Sequence, residues 1–509
     1  MALDVVDRRT LCLSAIGLAS SVLGGREVFA APNEGDAVYL GLWGGVHAVA
    51  GPHLRSESAV ILRIDQSSDG GLQISDEDPR MYGYPPAPLK LTPEGDLLAS
   101  ASSIFGQVDY RIRFNPANRT IEATITRPAM EEAGSGAMAL RKDAPDLRRW
   151  RAPRVNADGR VLDYAYARPA PGSGWTTASL EDERLDRTKI EDMVRTILQQ
   201  QADPLTNRTD SVVIVRHGKL VLEEYFWGYA RGTPHAISSD TKSVTSMAAG
   251  IAIDTGAIRA TDRVIDYFPD YGDTVWLKER SQITIGDLMS MQANVVWNED
   301  VPYQDPRNTA IGLAVAEDPI RYVLNTQPAG APGAKFQYNS GLPNIVGDIV
   351  SRTMKQPFDA LVQSRLFAPL GINNWRWARQ KNGHVLAAGG LAMPPLDMAK
   401  LGQTMLDRGA WKGSQILSPQ WVAESTRQHT APSDYPYGYY WHLSTSAMPR
   451  LPGFDAFMAI GQAGQFIIVI PKEALVIVVT SSNWQPGGTP HALKDLITSK
   501  ILPAVRRAG

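Results

Sequence analysis

Ser239-Asp240-Thr241-Lys242 sets a hydroxyl and an amine three residues apart, just ahead of an apolar run. Val244, Met247, Ala248 and Ile251 follow at helical spacing, so the serine and the lysine share one face of a helix start. A serine hydroxyl is a poor nucleophile until a nearby base takes its proton. A lysine serves as that base only if burial or a neighbouring cation lowers its pKa. A helix N-terminus adds backbone N–H groups and a positive field for a developing oxyanion. Taken alone, the pattern reads better as an N-cap serine followed by a solvated lysine, because four-residue matches arise by chance in a chain of 509 residues.

Other chemistries have less to stand on. The single cysteine, Cys12, excludes an internal disulfide, and no Cys/His zinc spacing or His-Glu-x-x-His pair occurs among the eight histidines. Neither a metal nor a cofactor is expected. No Gly-x-Ser-x-Gly elbow is present, which counts against an α/β-hydrolase. A net charge of −2, with no basic excess and no long charge run, gives no reason to expect a nucleic-acid partner. With 43% hydrophobic and 20% charged residues the composition is that of a globular chain, long enough for two to four structural units at about 150 residues each.

The elements that must hold the pair can be placed in order. Arg8-Arg9 precede the apolar stretch from Leu11 to Leu23, and Val28-Phe29-Ala30 offers a cleavage site before Ala31. Residues 1–30 therefore read as a signal peptide, with the twin-arginine route as a candidate although Asp7 and Thr10-Leu11 match it only in part. Export to the periplasm or beyond is expected, and no other segment is apolar enough to span a bilayer. From 37 to 140 the pattern is of short strands. Val108 to Phe114 and Thr120 to Ile125 alternate strictly around the turn Asn115-Pro116-Ala117-Asn118, and Ala59 to Ile64 is another strand. This predicts a small antiparallel all-β domain, a barrel or a sandwich, packed on the rest and shaping the rim of its cleft. Residues 141–179, rich in Pro, Gly, Arg and Asp, read as an extended linker.

Beyond it, Ile190, Met193, Val194 and Ile197 predict a helix. Ser211 to Val215 and Leu220 to Leu222 flank His217-Gly218-Lys219 as a hairpin, and Phe466 to Ile470 and Leu475 to Val479 flank Pro471-Lys472-Glu473 as another. Helical stretches fill the middle, including Ser243 to Thr255 and Ile345 to Met354, and one closes the chain from His491 to Val505. The expected class is α+β: one antiparallel sheet assembled from both ends of a domain at 180–507, flanked by helices.

Several blocks in order carry a family resemblance. Thr241 to Ser246 with Gly250 to Ile258 resembles the active-site helix of the class C β-lactamase and penicillin-binding-protein-like serine hydrolases. Asp287-Leu288-Met289-Ser290-Met291 resembles a further segment, and Trp297-Asn298-Glu299-Asp300 resembles the nylon-oligomer hydrolase branch. Pro332 to Ser340 is similar to the loop with the catalytic tyrosine, and Gly389-Gly390-Leu391 with Asp397 to Gly402 is similar to another block. Gly461 to Phe466 falls where the third motif, usually Lys-Thr-Gly or His-x-Gly, opens the inner strand. The resemblance covers roughly residues 180 to 507. It implies a β-lactamase-like domain with Ser239 as nucleophile, Lys242 as base and Tyr338 as second acid/base. It also implies an oxyanion hole from the backbone N–H groups of Ser239 and Gln465, and substrate contacts at Gln462, Gly464 and Ser340.

Two departures bear on specificity. Gln462 stands where β-lactamases and peptidoglycan enzymes usually carry a lysine, and the tyrosine motif is Tyr-Asn-Ser rather than Tyr-x-Asn. A neutral glutamine only hydrogen-bonds, whereas a lysine pairs with a substrate carboxylate. The expectation is a hydrolase of carboxylic esters or linear amides acting through an acyl-enzyme. The alternatives are a β-lactamase or D,D-peptidase, or a non-catalytic binding protein on the same fold. Trp297, Trp375, Trp377 and Trp441 read equally as cleft lining or core. The oligomeric state and the particular substrate are not legible.

Overall fold

The protein is described here from a computed structural model, which describes residues 37–51, 54–76, 86–103, 106–126, 136–143, 154, 163–200, 208–301, 305, 307–448, 450–483 and 492–506. The expected signal peptide at 1–30, with Arg8, Arg9 and Cys12, lies outside the described residues.

The alternating segments form strands as their period requires. Val108, Tyr110 and Ile112 are buried while Arg111 and Arg113 are exposed, and Ile121, Ala123 and Ile125 point inward from the partner strand. The strand Gly106–Asn115 pairs with Thr120–Thr126 in antiparallel register, Ile112 facing Ala123. Both belong to a nine-stranded sheet whose edge strands are Ala87–Pro88 and Lys90–Leu91. Only Leu89 separates those two edges, so the sheet curls round until they meet. Trp43, Val60, Leu62, Ile64, Tyr110 and Ile112 belong to its own apolar cluster. Its last strand, Gly136–Lys142, ends two residues beyond the expected boundary at 140.

The second large sheet has seven strands. In spatial order they are Thr176–Thr177, Lys219–Tyr225, Thr209–Arg216, Leu475–Ser481, Gln465–Ile470, Ala456–Gly461 and His442–Ser444. The hairpin that opens the domain thus lies against strands from its far end, with Val212 opposite Val479 and Ile214 opposite Ile477. Neighbours are antiparallel except Thr176–Thr177, which runs parallel to Lys219–Tyr225. That two-residue strand falls in the expected linker, where so short a segment carries no periodic signal.

The continuous apolar runs follow from burial on both faces. Val213, Val215, Ile467, Val469, Val476 and Val478 join one core, and Val212, Ile214, Ile468, Ile470, Ile477 and Val479 join the other. Each fully buried Val or Ile contributes roughly 1.5–3 kcal/mol relative to exposure. Helices Arg187–Leu198 and Ala492–Ile501 cover the second face; the latter is π-helical, wider than the closing helix the sequence suggested. Helices Thr241–Asp254, Leu342–Met354 and Pro395–Leu406 contribute to the first core. Gly402 lets Pro395–Leu406 lie directly on the sheet: a Cβ there would sit 2.7 Å from Val476 and 2.9 Å from Ile467.

The cleft reading of the tryptophans is corrected for three of the four. Trp441 is fully buried against Phe457, and Trp375 and Trp377 pack edge-on to each other beside Phe367 and Phe358. These rings fill core space, which so large an apolar surface favours. Trp297 is also buried, and its indole N–H donates to Glu299 at 2.7 Å.

Candidate active site

A short strand and a tight turn present Ser239. His235–Ala236 pairs with Leu391–Met393, and the Ile237 N–H donates to the Leu391 carbonyl at 2.9 Å. The chain then turns through one 3₁₀ unit, Ser238–Asp240, into the helix Thr241–Asp254. Ser238 has φ +48°, a left-handed conformation that costs a non-glycine residue free energy and persists only where its surroundings enforce it. Two anchors do so. The Thr241 hydroxyl donates to the Ser238 carbonyl at 2.6 Å, and the buried Asp210 accepts from His235 Nε2 at 2.9 Å. A Cβ on Gly461 would sit 2.4 Å from the Ile237 carbonyl oxygen, so glycine there lets the third-motif turn close onto this segment.

Lys242 projects from the first turn of the helix and is 2% exposed. Its Nζ donates to Ser239 Oγ at 2.9 Å and to the Ala388 carbonyl at 2.8 Å. The Thr245 hydroxyl holds the adjacent Ala387 carbonyl at 2.7 Å, so one helix face fixes the loop that fixes the amine. Burial drives the Lys242 pKa down to about 8, against the opposing pull of Glu299 and Asp240. A substantial neutral fraction therefore exists near neutral pH, which a base requires.

Tyr338 comes from the loop after Gly333, and its ring lies 4.9 Å from Lys242 Nζ. The side chains of Ser239 and Ser340 face its hydroxyl and favour its ionised form. Burial, aided by the Glu299 charge, raises its pKa, so the phenol keeps its proton and is an acid. The loop is tied down on both sides of the tyrosine. The Phe336 N–H donates to Asp434 at 2.6 Å, the Gln337 N–H to the Met291 carbonyl at 2.8 Å, and the Gln337 amide to the Trp297 carbonyl at 2.8 Å.

The third motif is a turn, Gln462 to Gly464, between strands Ala456–Gly461 and Gln465–Ile470. Ala463 at φ +66° and Gly464 at φ +92° make it. Gln462 is exposed and Ser340 is buried next to Tyr338. The Gln465 side chain is turned inward: its amide donates to the Gln462 carbonyl at 3.1 Å and to the Ser481 carbonyl at 2.6 Å. Ser239, Lys242, Tyr338 and Ser340 thus form one cluster, and the Gln462–Gly464 turn closes beside it.

Four features had no assigned role in the sequence. Asp240 is fully buried, neither carboxyl oxygen has a hydrogen-bond partner among the described residues, and burial raises its pKa well above the usual range. His442 accepts or donates at Nδ1 to the Tyr435 hydroxyl at 2.8 Å, stacks beside Tyr338, and is driven by burial down to about 3, so it is neutral. The Ala388 carbonyl and the Glu299 carboxylate complete the set. Asp240 and Glu299 stood in the quoted Ser239-Asp240-Thr241-Lys242 and Trp297-Asn298-Glu299-Asp300 blocks, but without a role.

A serine hydroxyl bonded to a buried amine of lowered pKa, with a protonated phenol beside them, is the equipment of a serine hydrolase. Comparison with known proteins agrees. The Beta-lactamase family model matches residues 194–500, more than half of the chain. A 6-aminohexanoate-dimer hydrolase of Paenarthrobacter ureafaciens is 25% identical over 306 residues, 56% of this chain and 74% of that protein. A protein of Salmonella agona (strain SL483) that carries a D-alanyl-D-alanine carboxypeptidase name is 22% identical over 410 residues, 65% of this chain and 91% of that one. Among solved structures, a family VIII carboxylesterase superposes with a TM-score of 0.50 at 16% identity, over 62% of this chain and 97% of that chain, which is a likeness of fold. The protein is a serine hydrolase, and the chain belongs to the beta-lactamase family. No helix among the described residues is long and apolar enough to cross a membrane.

Proposed function

We propose that the protein hydrolyses a carboxylic ester or linear amide through an acyl-enzyme on Ser239. The observation that carries this is the 2.9 Å bond between Ser239 Oγ and the buried Lys242 amine. Neutral Lys242 takes the hydroxyl proton as Oγ attacks the carbonyl carbon. The backbone N–H groups of Ser239 and Gln465 are assigned to the oxyanion, at a helix start and a strand start. As the tetrahedral intermediate collapses, Tyr338 passes its proton to the leaving oxygen or nitrogen and recovers one from Lys242. Water then attacks the acyl carbonyl, gives its proton to the same pair, and releases the acid and free Ser239.

Gln462 supports substrates that need no carboxylate contact, since an exposed neutral amide replaces the usual cation. Gln462, Gly464 and Ser340 are assigned to substrate binding. Relatives named for amide and ester hydrolysis make both bond types reasonable substrates. An activated p-nitrophenyl ester is expected to give a burst of one product equivalent per enzyme, and Ser239→Ala to abolish it. Full activity in Ser239→Ala would exclude the assignment. The unit at 37–140 is assigned to the rim of the cleft; unchanged kinetics after its deletion would exclude that role. Residues 1–30 support export, tested by whether the mature chain begins at Ala31.

A further inference from the structure

Glu299 lies outside the serine–lysine–tyrosine cluster but touches the parts that hold it. Its Oε2 accepts the indole N–H of Trp297 at 2.7 Å and the backbone N–H of Ser340, two residues past Tyr338, at 2.6 Å. Trp297 is itself wedged against the tyrosine loop: a Cβ on Gly341 would lie 3.0 Å from its ring, and its carbonyl takes the Gln337 amide at 2.8 Å. One carboxylate therefore closes a clasp between the 297–299 segment and the loop 337–341. Its charge also acts on Lys242 and on Tyr338. The titratable groups facing that pair are Asp240 from the serine turn, His442 from the edge strand, Tyr435, Tyr437 and Tyr440 from the segment before it, and Glu299; Arg450 acts on His442 from beyond. His442 is driven by burial to a neutral imidazole, and burial favours the protonated form of Asp240.

We propose that Glu299 is a positioning residue, whose carboxylate clasps the Tyr338 loop and supplies the fixed negative charge that poises Lys242 and Tyr338. The proposal rests on the roles assigned above to those two residues. A negative neighbour favours protonated lysine and protonated tyrosine alike. Removing the charge while keeping the shape therefore lowers both pKa values, and the acid limb of the pH–rate profile, which Lys242 sets, moves to lower pH. A residue needed only for folding would change the height of the profile and leave its limbs in place.

The test is the pH dependence of kcat/KM for a p-nitrophenyl ester in full-length wild type, Glu299→Gln and Glu299→Asp, with Ser239→Ala as control. Glu299→Gln is expected to shift the acid limb downward by roughly half a pH unit or more. Glu299→Asp keeps the charge but shortens the clasp, so kcat is expected to fall about tenfold with the limbs near their wild-type positions. Coincident acid limbs in wild type and Glu299→Gln would overturn the proposal, as would an acid limb in Glu299→Asp displaced as far as that in Glu299→Gln. If Glu299→Gln does not fold by circular dichroism, Glu299→Ala decides: an acid limb displaced to lower pH supports the proposal, and an acid limb in its wild-type place overturns it. Activity surviving in Ser239→Ala would instead defeat the assignment of the nucleophile, a separate failure.

Discussion

Replacing Lys242 by arginine isolates the base from the positive charge. Burial takes the amine from 10.5 to about 8. At roughly 1.4 kcal/mol per tenfold, that drop is worth about 3 kcal/mol. At pH 7 about a tenth of the enzyme then holds a neutral lysine, some 300-fold more than an unperturbed amine would supply. In wild type, kcat/KM for a p-nitrophenyl ester is expected to climb close to tenfold per pH unit up to about pH 7.5 and to level above about pH 8.5. Lys242→Arg keeps the charge but cannot lose the proton, and a loss of about 10³-fold or more at pH 7 is expected. The same residue leaves a mark on stability. Its folded pKa lies below its unfolded one, so between about pH 8 and 10.5 the unfolded chain binds the extra proton and stability rises with pH. Relative to Lys242→Met, wild type is expected to gain about 3 kcal/mol across that window in denaturant titrations. An acid limb centred near pH 6, or an arginine variant with a tenth of wild-type activity, would refute the reasoning.

Three further outcomes follow from contacts. Gly250→Ala is expected to destabilise by about 1–3 kcal/mol, because the added Cβ would lie 2.2 Å from the Trp421 ring; a raised Tm, as for an ordinary helical glycine, would contradict the packing. Asp240→Asn is expected to raise Tm at pH 7 and to lose that advantage near pH 4, since wild type must bury an unpartnered carboxyl that ionises in the unfolded chain; a pH-independent difference would contradict it. Gln462→Lys is expected to raise kcat/KM several-fold for an ester bearing a terminal carboxylate relative to its neutral methyl ester, and an unchanged ratio would remove Gln462 from specificity.

The hairpins were legible because their runs are bounded by turn residues and both faces are apolar, and the helix Arg187–Leu198 because Ile190, Met193, Val194 and Ile197 repeat at its period. The serine and lysine were legible as a spacing, but the spacing alone said nothing about burial, which is what gives Lys242 a useful pKa. Tyr338 needed the surrounding blocks, since a tyrosine in a loop has no signature of its own. The Ala388 carbonyl bond to Lys242 and the clasp of Glu299 on Ser340 are contacts made across long stretches of chain. No local pattern records such contacts. Three tryptophans that looked equally suited to a cleft went to the core, because nothing in their neighbours distinguishes an inner wall from an outer one.

The covalent intermediate is the most direct point of attack. Full-length enzyme is mixed with a slow-turnover activated ester, quenched in acid, digested and mapped by mass spectrometry. The expected result is one acyl group per chain on the peptide containing Ser239, absent from Ser239→Ala. An adduct on a different residue, or steady turnover with no adduct at any quench time, would contradict a nucleophile at Ser239.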